Sequence, residues 1–337
     1  MNLVRLQYGG GGGELNGASI IVNTEEITLV GKEALLYKVS DLSTIINRTV
    51  FSDLSSDGVS TATFNNIIEP DVYIVKSSNE TEEGNTSNIE ITSDDIINKT
   101  TLIRSLNLTL ELNVTFYSAS GETIKYKRQN SDELILLGKA DDTGKGNGTI
   151  ICKDGETITF YGDIAKDTTT GTTAYSKDIT ITSDMTEIYV MPDGALYWYG
   201  NMCTELPLGG GEYLNTNNGW SSTNFINPAP NTNYLDCNQT SAGSTYSGIG
   251  TKNIIDTSKY SICNVFAKGI KLASNSYGFI FGLTSKTPHT EANRTVSILL
   301  TSTNITKLSA NLPASTKYVC YTSNNGRRSN LYAMWLE

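Results

Sequence analysis

The chain is short of charge, histidine, proline and long apolar runs. Charged residues make up 18% of its 337 positions, below the roughly 25% of ordinary soluble domains. Its polar surface must therefore come largely from Asn, Thr, Ser and Gly. The formal charge is −10, and no basic cluster exists beyond Arg327-Arg328, which argues against a nucleic-acid partner held through phosphates. No apolar stretch approaches the roughly 18–20 residues of a membrane-spanning helix. His289 is the only histidine, so a centre built on several histidines is excluded by number. No G-x-S-x-G elbow accompanies it, and it reads as a surface residue and not as a catalytic base.

Five cysteines, Cys152, Cys203, Cys237, Cys263 and Cys320, are odd in number and form no CxxC pair. Neither a complete disulfide framework nor a zinc site follows, and buried free thiols are expected. The run ADDTGKGNG (Ala140 to Gly148) lacks the D-x-[DN]-x-[DN]-G spacing and closing glutamate of a calcium loop, so a hairpin turn is the better reading. No metal, cofactor or catalytic residue is assigned. A glycosidase built on two carboxylates far apart in the chain is the enzymatic alternative, and the sequence singles out no such pair. Ten Asn-x-Ser/Thr sequons occur, but MNLVRLQY is too short for a signal peptide. The sequons therefore read as accidents of an Asn- and Thr-rich chain made in a cytoplasm.

What the chain has in abundance is strand and turn chemistry. Thr and Tyr favour strands, and Asn and Gly favour turns. A repeat lies within the first two hundred residues. Ile91-Thr92-Ser93-Asp94 recurs 90 positions later as Ile181-Thr182-Ser183-Asp184, and Gly31 with Gly121, Gly58 with Gly148 and Asn23 with Asn113 obey the same offset. This predicts tandem modules over 14–104 and 105–194. Each breaks into short apolar-rich runs split by turn signals, the pattern of a small β-sandwich. EITLV (Glu26 to Val30) is among the expected strands, and only Ile96-Ile97 hints at a helical turn. Ser56 to Lys76, with Asp57, Gly58, Phe64, Pro70 and Tyr73, resembles prealbumin-like and PEGA-type domains. That resemblance implies spacer modules, not catalysis.

From 195 to 337 the composition shifts. Long Asn- and Ser-rich segments are followed by well-spaced strand runs, which predicts a jelly-roll or lectin-like sandwich. The closing run NLYAMWLE is apolar on both faces, with Leu331, Ala333 and Trp335 on one and Tyr332, Met334 and Leu336 on the other, as in a strand covered on both sides. The expected fold is all-β, with two Ig-like modules and a C-terminal jelly roll.

Ig-like spacers, an Asn/Thr-rich terminal sandwich, a short N-terminal segment followed by glycines and the ending YAMWLE together resemble virion proteins of tailed bacteriophages. Tail fibres, receptor-binding proteins and head fibres are the nearest type. The resemblance implies a homotrimer located in the virion. Residues 1–13, with Leu3, Val4, Leu6 and Tyr8, would anchor it to tail or capsid proteins, and the C-terminal domain would meet a host surface carbohydrate or protein. A head fibre or capsid decoration is one alternative, and a bacterial surface adhesin or lectin is another.

Sugar recognition stacks apolar C–H faces on aromatic rings and satisfies hydroxyls with amides. Trp220, Tyr234 and Tyr246 are the candidate ligand-binding aromatics, with Arg327 and Arg328 as contacts for an anionic group on a hairpin tip. The consecutive Tyr197, Trp198 and Tyr199 read instead as core or junction packing. The glycine runs Gly9–Gly13 and Gly209–Gly211 lack the Lys-Ser/Thr of a phosphate loop and read as module punctuation. The first is expected to be ordered by neighbouring subunits.

Overall fold

A computed structural model describes residues 17–79, 82–129, 131–214, 225–238, 246–270, 277–286, 291–324 and 327–337. Leu3, Val4, Leu6, Tyr8, Gly9–Gly13, Trp220 and His289 lie outside the described residues. The protein is all-β, with several two-sheet sandwiches. It divides into two compact units, one holding the described residues to Glu111 together with Ile151–Asp154, the other Leu112–Ile150 and Gly155–Glu337.

The first sandwich comprises β1 (Ala18–Thr24), β2 (Glu33–Lys38), β3 (Asn47–Val50), β4 (Ser60–Ile67), β5 (Asp71–Ser78), β6 (Glu83–Asn85), β7 (Ile89–Ile91) and β8 (Thr101–Ser105). Its sheets run β4–β1–β8 and β3–β2–β5, with β6 and β7 along the far edge of β5. Alternation in β1 buries Ala18, Ile20 and Val22 against Leu36, Phe64 and Val75. Tyr73 is core, and its hydroxyl donates to the Glu69 carbonyl at 2.9 Å. The run EITLV does not continue the sheet: Ile27–Leu29 form a 3-10 turn, and Ile27 is exposed.

The second sandwich repeats this plan with β9 (Leu108–Tyr117), β10 (Thr123–Arg128), β11 (Ile135–Lys139), β12 (Lys145–Cys152), β13 (Thr157–Lys166), β14 (Ala174–Thr180) and β15 (Glu187–Tyr189). Its sheets run β12–β9–β15 and β11–β10–β13–β14. β8 pairs with β1 in parallel, as β15 does with β9. The 90-residue offset places the starts of β1 and β2 on those of β9 and β10. Gly31 and Gly121 keep it, both in left-handed turns at φ +76° and +70°, but it fails at the second glycine landmark: Gly58 turns at φ +75°, whereas Gly148 lies inside β12 and Gly144 makes the turn at φ +84°. The shared ITSD also diverges. Thr92 caps a short helix α1 (Ser93–Asn98) through a reciprocal capping box with Asp95, whereas Thr182 only closes a turn onto Asp184.

The turn over Asp141–Gly144 joins β11 to β12, which belong to different sheets, so it is an arch and not a hairpin. Asp141 accepts from the Thr143 and Lys145 N–H groups, which uses its carboxylate within the turn.

The third sandwich contains β16 (Ala195–Trp198), β17 (Gly211–Tyr213), β18 (Phe225–Ile226), β19 (Ala229–Pro230), β20 (Leu235–Asn238) and β21 (Tyr246–Thr251). It continues with β22 (Ile262–Ile270), β23 (Gly278–Leu283), β24 (Arg294–Leu300), β25 (Thr306–Asn311), β26 (Tyr318–Asn324) and β27 (Arg328–Leu336). One sheet runs β19–β20–β27–β22–β25 with β16 beside β27, and the other runs β17–β21–β26–β23–β24 with β18 beside β21. From β20 onward the chain alternates between sheets, except for the β23–β24 hairpin, which is jelly-roll connectivity.

Leu235, Val265, Ile280, Tyr321 and Met334 fill the space between these sheets. β27 is internal, as its apolar pattern requires, but its faces differ from simple alternation. Phe266 pairs Ala333 and Ala267 pairs Leu331, so Tyr332 is an extra bulged residue. The bulge brings Leu331, Met334 and Leu336 into one core and leaves Trp335 outside that cluster. Gly209 and Gly210, at φ +70° and +69°, form a turn that leads into β17 within this sandwich, not a joint before it.

Candidate binding surfaces

The second and third sandwiches meet through aromatic rings. Trp198 of β16 is fully buried among Tyr175, Tyr199 and Trp335, with ring centroids 4.9, 5.3 and 6.0 Å away. Phe266 of β22 packs on Trp335 at 5.1 Å, and Gly171 of the second sandwich approaches it closely enough that a Cβ would lie 2.9 Å from the ring. Asn201 adds a buried amide that donates to the Ser118 carbonyl at 2.9 Å. Tyr197, Trp198 and Tyr199 are thus core and junction residues. The joint covers the outer face of the sheet containing β27 around Phe266 and Trp335.

Tyr234 belongs to this covered side. Its ring packs on Tyr332 at 5.5 Å, and its hydroxyl accepts from the Asn231 amide at 3.0 Å. Tyr246 is on the opposite sheet, packed against Phe281, Leu283 and Cys320 together with Phe279 and Tyr318. The two candidate tyrosines therefore do not share a site.

Arg327 and Arg328 also diverge. Arg327 directly precedes β27 and Arg328 is its first residue, where the chain crosses between sheets and not on a hairpin tip. Arg328 makes a two-toothed contact with Asp236, its Nε donating at 3.0 Å, and this carboxylate holds the guanidinium pKa above its ordinary value. Arg327 lies over the Phe279 ring at 5.0 Å, and Arg294 lies over Phe281 at 4.3 Å, with the two rings stacked 5.2 Å apart. This arrangement is a cation–π ladder along the outer face of β23.

The strand ends bordering Leu214, Asn238, Tyr246, Ile270, Tyr277 and Arg327 gather at one end of the third sandwich, as the pairings Tyr246 with Asn324 and Ile270 with Arg328 show.

Elsewhere the chemistry is structural. All five cysteines are buried and free, and burial pushes the thiols of Cys203, Cys237, Cys263 and Cys320 up. Among the described residues no cluster of three or more His, Cys, Asp or Glu could hold a metal. Glu122 is the one charged side chain that is fully buried among them. Its carboxylate accepts from the backbone N–H groups of Ala119, Ile164 and Ala165 at 3.0, 3.1 and 2.8 Å. It fills the irregular stretch of β13 opposite Gly162. Burial raises its pKa, while the three N–H donors oppose that rise. No sequence pattern marked this residue, since a lone Glu before a strand looks like a surface acid.

No protein-family model matches the chain, and no curated protein does. Among solved structures it is similar to the K3 cleaved adhesin domain of Lys-gingipain from Porphyromonas gingivalis. Identity is 12% over 38% of this chain and 90% of that one, with a TM-score of 0.26. It is similar to the secreted serine protease VesC from Vibrio cholerae, at 9% identity over 90% of this chain and 63% of that one, with a TM-score of 0.28. The shaft pilin spaA from Lactobacillus rhamnosus GG gives 12%, 51% and 96%, with a TM-score of 0.19. Superpositions this loose carry no inference about activity.

Proposed function

We propose that this protein is a non-enzymatic attachment protein: small sandwiches act as spacers, and the C-terminal jelly roll meets a cell-surface glycan or protein. The aromatic joint carries this reading. Domains of one chain normally move relative to one another unless a large apolar interface prevents it, and here Tyr175, Trp198, Phe266 and Trp335 fix the last spacer to the head. A head held rigidly on its spacer suits a protein that transmits force between two surfaces.

The resemblance of the whole chain to virion proteins of tailed phages supports placing it in the virion, as a trimer attached through residues 1–13. The test is immunogold labelling of cultures that produce the protein, with light scattering of the purified chain. Gold on particle fibres and a trimeric mass are expected. Gold on the envelope of uninfected cells would make it an adhesin instead, and gold confined to the cytosol would overturn both.

A further inference from the structure

The outer face of β12–β9–β15 in the second sandwich carries a shallow depression lined by Asn113, Thr115, Asn147 and Thr149, with Val114 and Gly148 beneath. Alternation places the four polar residues on one side of two neighbouring strands, with Val114 and Ile150 buried on the other. The pairs are reciprocal. The Thr149 hydroxyl donates to Asn113 Oδ1 at 2.8 Å, and the Thr115 hydroxyl donates to Asn147 Oδ1 at 3.0 Å. Each amide therefore has its oxygen engaged by a threonine hydroxyl, on a residue that is itself exposed, which leaves the NH2 as the group it can offer a ligand.

One row along the same face, Tyr189 of β15 stacks on Tyr117 of β9, with centroids 5.0 Å apart and planes 9° apart. Both hydroxyls are tied to Glu187, at 2.7 and 3.3 Å, and Lys145 stands over the Tyr117 ring. The tyrosine platform is thus fixed before any ligand arrives, which lowers the ordering cost of binding.

We infer that this face is a second ligand site, for a neutral glycan chain that runs across the strands, with one sugar against Tyr189 and the hydroxyl or ring oxygens of sugars further along the chain accepting from the Asn147 and Asn113 amides, which lie one to two residue rows away. The chemistry selects the class. Amide NH2 groups need acceptor oxygens, an aromatic platform needs a C–H face, and sugars supply both. The two pairs offer no large aliphatic anchor of the kind that dominates protein interfaces. Glu187, with Glu205 close enough to act on both tyrosines, disfavours an acidic polymer. The site belongs to the second sandwich alone: at the counterpart Asn23 of β1 the amide oxygen is buried without a partner. The inference rests on the attachment reading but assigns contact to a spacer in addition to the head.

The test is a printed array of neutral glucans, mannans, galactans and xylans probed with the full chain, followed by titration of the tightest-bound glycan. Wild type is expected to bind. Asn113→Ala with Asn147→Ala, and Tyr189→Ala separately, should each weaken binding about tenfold or more. Circular dichroism should remain unchanged for the exposed asparagine pair, whose substitution opens no core. A silent array, or undiminished binding by the double variant, would overturn the inference. Cell binding by a double variant that no longer binds the array glycan would leave the attachment reading standing. Loss of cell binding by wild type itself would remove that reading instead.

Discussion

Trp198 stands edge-on to Trp335, their rings 6.0 Å apart and 86° from coplanar, and both are fully buried. One comes from the first strand of the jelly roll and the other from its last. The pair closes the sandwich at the face that receives the preceding module. Trp335→Ala should cost about 3–5 kcal/mol, the usual range for emptying a buried aromatic site. A denaturant midpoint unchanged within error would show that the joint does not hold this unit together.

Gly171 and Gly155 separate packing from backbone strain. Both are left-handed, at φ +69° and +76°, but Gly155 has open space where Gly171 faces Phe266. Gly155→Ala should lose about 1 kcal/mol from strain alone. Gly171→Ala should lose that and about 1 kcal/mol more from displacing the ring. Equal losses in chemical denaturation would mean that the Phe266 contact is slack.

Glu122 gives a pH dependence with a definite sign. Its folded pKa is raised above the ordinary value of 4.5, chiefly by burial. The fold therefore favours the protonated group, so this contribution is fully present below 4.5 and is lost as pH rises through the folded pKa. Wild type should gain stability relative to Glu122→Gln as pH falls from 8 towards 4.5. A difference between the two proteins that stays flat across that window contradicts the assignment. Glu122→Ala leaves three buried N–H donors without a partner and should cost several kcal/mol, at about 1–3 each.

The thiols supply a simple check on burial. Five cysteines, all free and buried, should resist a water-soluble disulfide reagent in the native protein and react fully in denaturant. Rapid native labelling of even one would place that cysteine in a region that opens readily.

The fold was largely legible because its strands alternate cleanly. In β1 and β12, and in β9 up to Phe116, the buried positions follow a period of two. The misreadings have local causes. EITLV has strand composition but serves as a turn. The internal order in Leu331–Leu336 was hidden by a bulge at Tyr332, which no composition signals. Thr306–Asn311, mostly polar, forms an edge strand supported by its partner β22, and tertiary pairing overrode its weak propensity.

The candidate ligands were less legible. Tyr234 and Tyr246 are close in sequence, but jelly-roll crossing puts them on different sheets. Arg328 found an acid 92 residues away. Asn113 stood out only as a repeat landmark, and Asn147 and Tyr189 not at all, because their significance lies in cross-strand neighbours.

The most direct test of the central claim is saturable binding of the purified, fluorescently labelled full chain to intact cells of the bacterium exposed to it, before and after periodate treatment of the surface. An attachment protein that meets a surface glycan should bind saturably and lose that binding after periodate. Binding that survives periodate but is removed by protease would move the partner to a surface protein. No saturable binding to any intact cell would contradict the account.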